Sequence, residues 1–233
     1  MKPVCIVNGV GPGNGAAFAR RFATEGYAVA LVARSREFSE GLAAELGADA
    51  RAYTCDLADP EAVAGTCARI ADELGTPTVL LHNAGGGIWG DFQEIDLEGF
   101  EQSWRVNALG LLAAARAVAP GMRAAGGGSI VVTGATASRR GGAKTAAFAS
   151  AKAAQRSLAE SLAKRLWPDG IHVSLIIVDG VVDLPRTRER MPDKPDEFFL
   201  NPDDIAATAW WLTRQPRSAW SFEVEARPFG ERW

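Results

Sequence analysis

The chain of 233 residues is 47% hydrophobic and 23% charged, with a formal net charge of −3. This length and hydrophobic content suffice for one sizeable core, so we expect a single domain over residues 1–233. The charge gives no electrostatic basis for binding nucleic acid or an anionic membrane surface, and no apolar run approaches the roughly 20 residues needed to span a bilayer.

Apolar strand-like runs and longer helix-forming segments alternate along the chain. Predicted strands cover residues 4–7, 27–33, 51–55, 78–82, 130–133, 171–178 and 220–224. Predicted helices cover residues 13–25, 36–47, 60–74, 97–122 and 146–167, and a last helix starts at Asn201-Pro202. This alternation predicts an α/β fold of the Rossmann type, a doubly wound parallel sheet of about seven strands.

The three cysteines, Cys5, Cys55 and Cys67, lack the spacing of metal ligands and are predicted to be buried, reduced thiols. Met1 is followed directly by a predicted strand and not by the apolar region of a signal peptide. We therefore expect a cytoplasmic protein without a metal site.

A glycine-rich turn separates the first predicted strand from the first helix. Its Gly9, Gly13 and Gly15 follow a Gly-x3-Gly-x-Gly spacing, which differs from the broad G-x-G-x-x-G fingerprint. Such a turn lets the backbone approach a pyrophosphate, whose charge then meets the N–H groups at the helix start. Glycines also serve plain loops, and the position after the first strand is what favours a nucleotide site.

Turn-forming or polar residues also follow the second to sixth predicted strands. Ligands of a doubly wound sheet bind beyond the carboxyl ends of its strands. One such end could be an ordinary loop, but six in register favour a binding crevice. The ends are Gly9 onward, Arg34-Ser35-Arg36, Asp56-Leu57, Asn83-Ala84-Gly85, Gly134-Ala135-Thr136 and Asp179-Gly180.

These motifs resemble those of the short-chain dehydrogenase/reductases over nearly the whole chain. The matching residues are Asn8-Gly9 through Gly15, Asp56-Leu57, Asn83-Ala84-Gly85, Asn107 and Lys152. The resemblance implies a bound nicotinamide nucleotide. By this resemblance the pyrophosphate would lie on Gly9, Gly13, Asn14 and Gly15, the adenine against Asp56 and Leu57, and the nicotinamide and its ribose near Asn83, Ala84, Gly85, Lys152, Gly180 and Val182.

The chain departs from the family's Tyr-x3-Lys signature, whose tyrosine gives a proton to the carbonyl oxygen as hydride arrives. Four residues before Lys152 stands Phe148, which has no hydroxyl. The family's serine, thirteen residues before the tyrosine, falls on Ala135. Loss of a positioned general acid slows a reaction by about 10²–10⁴-fold, so another group must replace it for ordinary ketone reduction.

Several groups near this position could supply the proton. For the Thr136 hydroxyl, a bond to its own backbone is the more ordinary interpretation. For the two carboxylates after the sixth strand, capping of the following helix is the alternative. The candidates are Thr136, Ser138, Lys152 itself, a water held by Asn107, Asp179 and Asp183.

Four polar residues of the chain are predicted to lie in apolar surroundings. Lys152 sits mid-helix among alanines, where an unpaired charge is costly, so a cofactor contact is its better explanation. Asn107 could serve catalysis or merely satisfy backbone groups. His82 and His172 are predicted to be core histidines with satisfied ring nitrogens.

The cofactor prediction depends on the end of the second strand. NAD-binding members of this fold carry an acid there, whereas this chain has Arg34 and Ser35, with no carboxylate before Glu37. A guanidinium and a hydroxyl suit a 2′-phosphate. We therefore expect NADP(H) to be favoured over NAD(H).

Residues 184–200 are charged and proline-rich, and they lie where the family has its substrate lid; a solvated surface is the alternative. Trp89, Ala135 and Phe148 predict a mainly apolar, aromatic-lined pocket. The favoured interpretation is an NADP(H)-dependent oxidoreductase with an altered proton-transfer site and an apolar or aromatic small-molecule substrate. The alternatives are a reductase of a conjugated C=C bond, a non-catalytic NADP(H)-binding sensor or regulatory protein, and a structural subunit.

The two long predicted helices carry apolar faces. Members of the family pair these helices across a two-fold axis, so the faces predict a homodimer or homotetramer. Ordinary packing of helix against sheet is the alternative. The residues are Leu111, Leu112, Ala115, Ala151, Ala154 and Leu158.

Overall fold

The apolar runs form a parallel sheet, which the computed structural model describes within residues 2–230. Seven strands lie in the order β3-β2-β1-β4-β5-β6-β9, and each pair in it is parallel. The strands are β1 (Val4–Asn8), β2 (Ala28–Ala33), β3 (Ala50–Thr54), β4 (Pro77–His82), β5 (Gly128–Ala135), β6 (Ile171–Val178), β7 (Val181–Val182), β8 (Phe199–Leu200) and β9 (Glu223–Ala226). The predicted doubly wound sheet is confirmed.

Helices cover both faces of this sheet. They are α1 (Asn14–Thr24), α2 (Arg36–Leu46), α3 (Pro60–Leu74), α4 (Leu97–Trp104), α5 (Gly110–Ala124), α6 (Ala146–Leu166), α7 (Pro185–Arg190) and α8 (Pro202–Thr213). Asp59 caps α3, accepting from the backbone N–H groups of Glu61 and Ala62 at 2.9 and 3.1 Å. Asn201 caps α8 in the same way.

Several boundaries differ from the sequence prediction. The helix predicted over 97–122 consists of α4, a π-helical turn at Arg105–Leu109 and α5. The last strand begins at Glu223 and not at Trp220. The short pair β7 and β8, together with α7, was not predicted, because two-residue strands and a six-residue helix leave no periodic pattern.

Side chains of the sheet alternate between two cores, as the period of a strand requires. On β1, Val4 and Ile6 join the core under α3, α5 and α6, whereas Cys5 and Val7 join the core under α1 and α8. The three cysteines are free and buried. Within the described residues, no helix is long and apolar enough to cross a membrane, and no cluster of metal-ligating side chains occurs.

Most of the apolar face predicted for self-association lies inside the protomer. Leu111 and Ala115 on α5 and Ala151 on α6 are buried in the chain itself, and Leu158 packs against the core as well. Helix–sheet packing therefore accounts for these four residues. Leu112 and Ala154 remain partly exposed.

Gly9 should be the least replaceable glycine of the first turn. It has a φ of +84°, and an added Cβ would lie 2.6 Å from the backbone N and Cα of Ala84. We expect Gly9→Ala to lower the free energy of unfolding by at least about 1–2 kcal/mol.

Gly11→Ala is the matched control, since its added Cβ would meet nothing within 4 Å. It should change stability by no more than about 0.5 kcal/mol. Urea unfolding of both variants measures this difference, and equal stability would show that the turn tolerates a side chain at Gly9.

Candidate nucleotide and active site

A side-chain hydrogen bond connects the turn after β1 to the loop after β4. Asn83 donates from Nδ2 to the carbonyl oxygen of Gly9 at 2.9 Å. Gly15 packs closely against the same turn, because a Cβ added to Gly15 would lie 2.6 Å from the carbonyl oxygen of Gly9. Asn83 therefore fixes the turn, Ala84 packs beneath it in a buried position, and the backbone passes too closely for side chains at Gly9 and Gly15.

The start of α1 forms the open side of this turn. Asn14 is the first helical residue, and its Oδ1 is buried without a hydrogen-bond partner among the described residues. The N-terminus of a helix offers N–H groups and a partial positive charge to an anion. Leu184 lies over the turn, since an added Cβ on Gly13 would be 2.6 Å from its Cδ2. The turn thus fits a pyrophosphate, with Leu184 above it.

The ends of β2 and β3 provide the second part of the crevice. Arg34 and Ser35 are exposed, and within residues 2–230 Arg34 makes no hydrogen bond or ion pair. Arg36, by contrast, is paired with Glu40 at 2.7 Å. Arg34 is therefore the guanidinium open to an anionic ligand at this edge.

After β3, Asp56 is exposed and accepts from the backbone N–H of Ala58 at 3.0 Å. Leu57 is buried, and its carbonyl oxygen would lie 2.6 Å from a Cβ added to Gly110. The pair is thus held against the start of α5, at the same edge of the sheet as the glycine turn.

Lys152 is buried behind the loop after β4. Its Nζ donates to the Thr133 carbonyl oxygen at 2.9 Å and to Gln155 Oε1 at 3.0 Å, and desolvation lowers the pKa of Lys152 to about 7. The chain thus supplies two of the three acceptors that the ammonium can use, and the expected cofactor contact stays a prediction for the third. Nζ also lies 3.2 Å from the point where a Cβ on Gly85 would be.

Asn107 lies in the π-helical turn and faces the same loop. Its Nδ2 donates to the carbonyl oxygens of Gly86 at 2.7 Å and Ser103 at 2.8 Å. Its Oδ1 is buried without a partner among the described residues and lies 3.7 Å from the Cβ position of Gly85. One acceptor of Asn107 and the ammonium of Lys152 thus converge on Gly85.

Phe148 occupies α6 one turn before Lys152. Its Cβ is 2.9 Å from the point where a Cβ on Gly87 would lie, so the loop after β4 passes directly against it. The ring stacks on Trp89 at 5.2 Å between centroids and 25° between planes, and Trp89 is 65% exposed. The two rings form an aromatic wall beside the buried lysine.

The hydroxyl groups near Ala135 are already engaged. Thr136 donates to the buried carboxylate of Asp179, which also pairs with Arg227. A bond from Thr136 to its own backbone, the ordinary expectation, is therefore wrong. Ser138 Oγ accepts from the backbone N–H of Ala135 at 3.0 Å. The 3₁₀ turn that carries both hydroxyls packs against α6.

Asp183 directly precedes the predicted lid segment. Both of its carboxylate oxygens accept from Arg188 at 2.7 Å, and this hydrogen bonding holds the pKa of Asp183 below its usual value. A lowered pKa does not suit a general acid near neutral pH. The capping expectation is also wrong, because the N-cap residue of α7 is Leu184, and the helix has no side-chain cap from either aspartate.

The two histidines differ. His172 is satisfied, with Nδ1 3.1 Å from the Leu212 carbonyl oxygen and Nε2 2.8 Å from that of Ser221. His82 is fully buried, and neither ring nitrogen has a partner among the described residues. Desolvation, and then the charge of Lys152, lower the pKa of His82 to about 3, so the expectation of a satisfied ring is wrong for His82.

The predicted lid segment starts beside the glycine turn, where Leu184 lies against Gly13. Val182 lies in β7, which pairs with β8, and Gly180 precedes that strand. Arg188 pairs with Asp196 at 2.6 Å as well as with Asp183, and its guanidinium lies 4.1 Å from the centroid of the Phe199 ring. Arg188 thus pairs within the segment and with Asp183, whereas Arg186, Glu189, Arg190, Asp193 and Glu197 are exposed to solvent.

Sequence reasoning missed Gln155, Leu184 and Arg188. For Gln155 a signal existed: a polar residue stands one helical turn after Lys152 in a helix rich in Ala and Leu. For Leu184 and Arg188 the local sequence gives none, because their contacts depend on how the segment folds back.

The sequence model of the short chain dehydrogenase family matches residues 3–195 of this chain. The chain belongs to the short-chain dehydrogenase family. The D-threitol dehydrogenase of Mycolicibacterium smegmatis is 30% identical to it, over 90% of this chain and 85% of its own length.

Solved structures agree with this assignment. A short-chain dehydrogenase from Rhodopseudomonas palustris has 33% identity and a TM-score of 0.84, covering 98% of this chain and 100% of its own. A metagenomic short-chain oxidoreductase, solved in complex with NADP, has 29% identity and a TM-score of 0.84, covering 97% of each chain. The chain thus has the fold and the sequence of a family of oxidoreductases.

The buried Asp179 should matter more to this short-chain dehydrogenase than the half-exposed Asp183. Asp179→Asn removes the negative charge that meets Thr136 and Arg227 in a buried position. We expect it to lower the free energy of unfolding by roughly 2–3 kcal/mol.

Asp183→Asn provides the control, since that side chain is 38% exposed and an exposed ion pair contributes at most about 1 kcal/mol. Urea unfolding at neutral pH measures both values. A smaller loss for Asp179→Asn than for Asp183→Asn would contradict the structural role given to Asp179.

Proposed function

We propose that this short-chain dehydrogenase is an NADP(H)-dependent oxidoreductase with an altered proton-transfer site, acting on an apolar or aromatic small molecule. The observation that carries the proposal is the juxtaposition of Phe148 and the buried Lys152 on α6, against the loop after β4. A group of the size of tyrosine stands at this point without a hydroxyl.

The residues at the strand ends fit the cofactor. The glycine turn and Asn14 would hold its pyrophosphate, and Arg34 with Ser35 would meet the 2′-phosphate. Asp56 and Leu57 would frame the adenine, while Lys152, Gly85 and Val182 would lie toward the nicotinamide end. When bound, NADP(H) supplies or accepts the hydride. The complex of the metagenomic relative with NADP supports this assignment.

The proton must come from a group other than Phe148. Thr136 donates to Asp179, and Asp183 has a lowered pKa. Lys152, with a pKa of about 7, is a buried group that can hold or release a proton at Nζ near neutral pH. The unpartnered Oδ1 of Asn107 would orient a water or substrate hydroxyl beside it.

The aromatic wall supports the substrate class. Trp89 and Phe148 present ring surface at the mouth of the site, and Ala135 adds a methyl group where the family has a serine. A substrate whose developing negative charge is delocalised, such as a conjugated carbonyl compound, depends less on a nearby acid.

A non-catalytic NADP(H)-binding protein is the second candidate. It is favoured by the lack of an acidic group at both Phe148 and Ala135. Tight cofactor binding without oxidation of NADPH by ketones or enones would support it over the oxidoreductase.

Self-association and a cytoplasmic location are parts of the proposal. Leu97, Phe100 and Trp104 are 86%, 40% and 43% exposed on α4, and an apolar helix face of this kind favours a homodimer or homotetramer. The free, buried cysteines suit a reducing compartment.

The cofactor preference is tested at Arg34. We expect Arg34→Ala to raise the Kd for NADPH at least about tenfold and to leave the Kd for NADH nearly unchanged, because only NADPH carries the 2′-phosphate. Calorimetry with each nucleotide measures this.

Arg36→Ala is the matched control, since that guanidinium is already paired with Glu40. It should change the Kd for NADPH much less. Equal affinity of the wild type for NADPH and NADH would refute the preference itself.

The missing acid is tested by restoring it. Phe148→Tyr combined with Ala135→Ser should raise the rate of reduction of simple activated ketones by about 10²-fold or more. The assay is NADPH oxidation followed by absorbance, and Phe148→Leu, which changes the ring without adding a hydroxyl, is the control.

Rapid ketone reduction by the wild type, with a bell-shaped pH profile, would contradict this interpretation. It would show that the native site already holds an effective acid.

A further inference from the structure

Gln155 is a fully buried polar side chain on α6, one turn after Lys152. Both ends of its amide are used. Oε1 accepts from the Nζ of Lys152 at 3.0 Å, and Nε2 donates to the backbone carbonyl oxygen of Asn107 at 3.1 Å. A single side chain thus connects the buried lysine to the π-helical turn.

The π-helical turn explains why a side chain is needed there. At its end, the N–H of Gly110 bonds the carbonyl oxygen of Arg105, five residues back. Such a turn displaces carbonyl groups from the α-helical pairing pattern, and a buried carbonyl without a donor is costly. Gln155 Nε2, on α6, supplies such a donor to the carbonyl oxygen of Asn107.

The same contact limits the freedom of the Lys152 ammonium. An ammonium has three N–H donors, and Thr133 and Gln155 accept two of them. We propose that Gln155 is a positioning residue, whose amide fastens Lys152 to Asn107 and holds the remaining donor of the ammonium beside Gly85. That donor then points to the place where Asn107 Oδ1 also has no partner.

Among the described residues that face Lys152 none is charged, so burial and hydrogen bonds set its protonation. From β4 it faces the titratable His82, which is neutral because its pKa is about 3. From β5 and the π-helical turn it faces the uncharged Thr133 carbonyl and the Asn107 amide. Burial lowers the pKa of Lys152 to about 7, and an acceptor such as Gln155 Oε1 opposes that shift, because it favours the charged form.

A functional consequence follows, and it rests on the proposed function. If the protonated Lys152 donates to the cofactor, NADPH affinity falls as the pH rises through the pKa of Lys152. Without the acceptor at Gln155, this pKa falls further, so the loss of affinity begins at a lower pH. A carboxylate at the same position raises the pKa and moves the loss to a higher pH.

The experiment compares Gln155→Leu and Gln155→Glu with the wild type. Ser161→Ala, an exposed position on the same helix, is the control. The pKa of Lys152 is followed in the cofactor-free protein by NMR of ¹³C-labelled lysine, with the resonance assigned by its loss in Lys152→Met. The Kd for NADPH is measured by calorimetry over the neutral pH range. The 2′-phosphate ionises near a pKa of about 6, equally for every variant.

We expect the pKa to move down by about one unit in Gln155→Leu, the effect of losing one hydrogen bond to a charged group. It should move up in Gln155→Glu and stay constant in Ser161→Ala. The break in the plot of NADPH affinity against pH should move with it.

An unchanged lysine pKa in both Gln155 variants would overturn the inference, even if the variants bind NADPH more weakly at all pH values. That pattern would describe a purely structural residue. Failure of the wild type to bind NADPH would instead overturn the proposed function, and the NMR titration would still decide the role of Gln155.

Discussion

The crevice depends on the close approach of two backbone segments at adjacent strand ends. The turn after β1 comes within van der Waals distance of the loop after β4, and only the absence of a side chain at Gly9 permits it, while Gly15 lets the start of α1 pack against the same turn. The amide of Asn83 then fixes the two segments in register. Because the loop after β4 continues against Lys152 and Phe148, this one constraint sets the distance between the glycine turn and the buried lysine.

Behind that loop, the polar groups form two separate networks. Lys152, Gln155 and Asn107 connect β5, α6 and the π-helical turn. Asp179, with Thr136 and Arg227, connects the ends of β5 and β6 to the segment after β9. Charged groups buried in this way are tolerated only when they are paired or hydrogen-bonded. The first network leaves an acceptor on Asn107 unpartnered, and this is the point where a ligand would complete it.

The same arrangement bears on proton transfer in the proposed oxidoreductase. The ring of Phe148 gives this site an aromatic surface one helical turn before the buried lysine, at the position where the proposal places the family's hydroxyl. The hydroxyl of Thr136 is oriented toward a carboxylate. Under that proposal, proton transfer would use the lysine, an ordered water or a substrate that needs little acid assistance.

The sequence by itself determined the order of strands and helices, the caps of α3 and α8, and the glycine turn. These are local features: alternation of apolar runs, Asp59 or Asn201 before proline, and glycines at a strand end all act within a few residues. The resemblance of the strand-end motifs also identified the family correctly. The break of the long helix at Arg105–Leu109 and the short strands β7 and β8 were not predictable, since neither changes the local pattern of hydrophobicity.

Only the tertiary structure decided how the polar residues are used. Lys152 finds an acceptor on a strand nineteen residues earlier, Thr136 finds one forty-three residues later, and His82 finds none. Such partners depend on which strand lies beside which helix, and a buried polar atom has no energetic preference among sequence positions until the fold brings one close. For this physical reason, the sequence could identify candidate residues of the site but could not assign their hydrogen-bond partners.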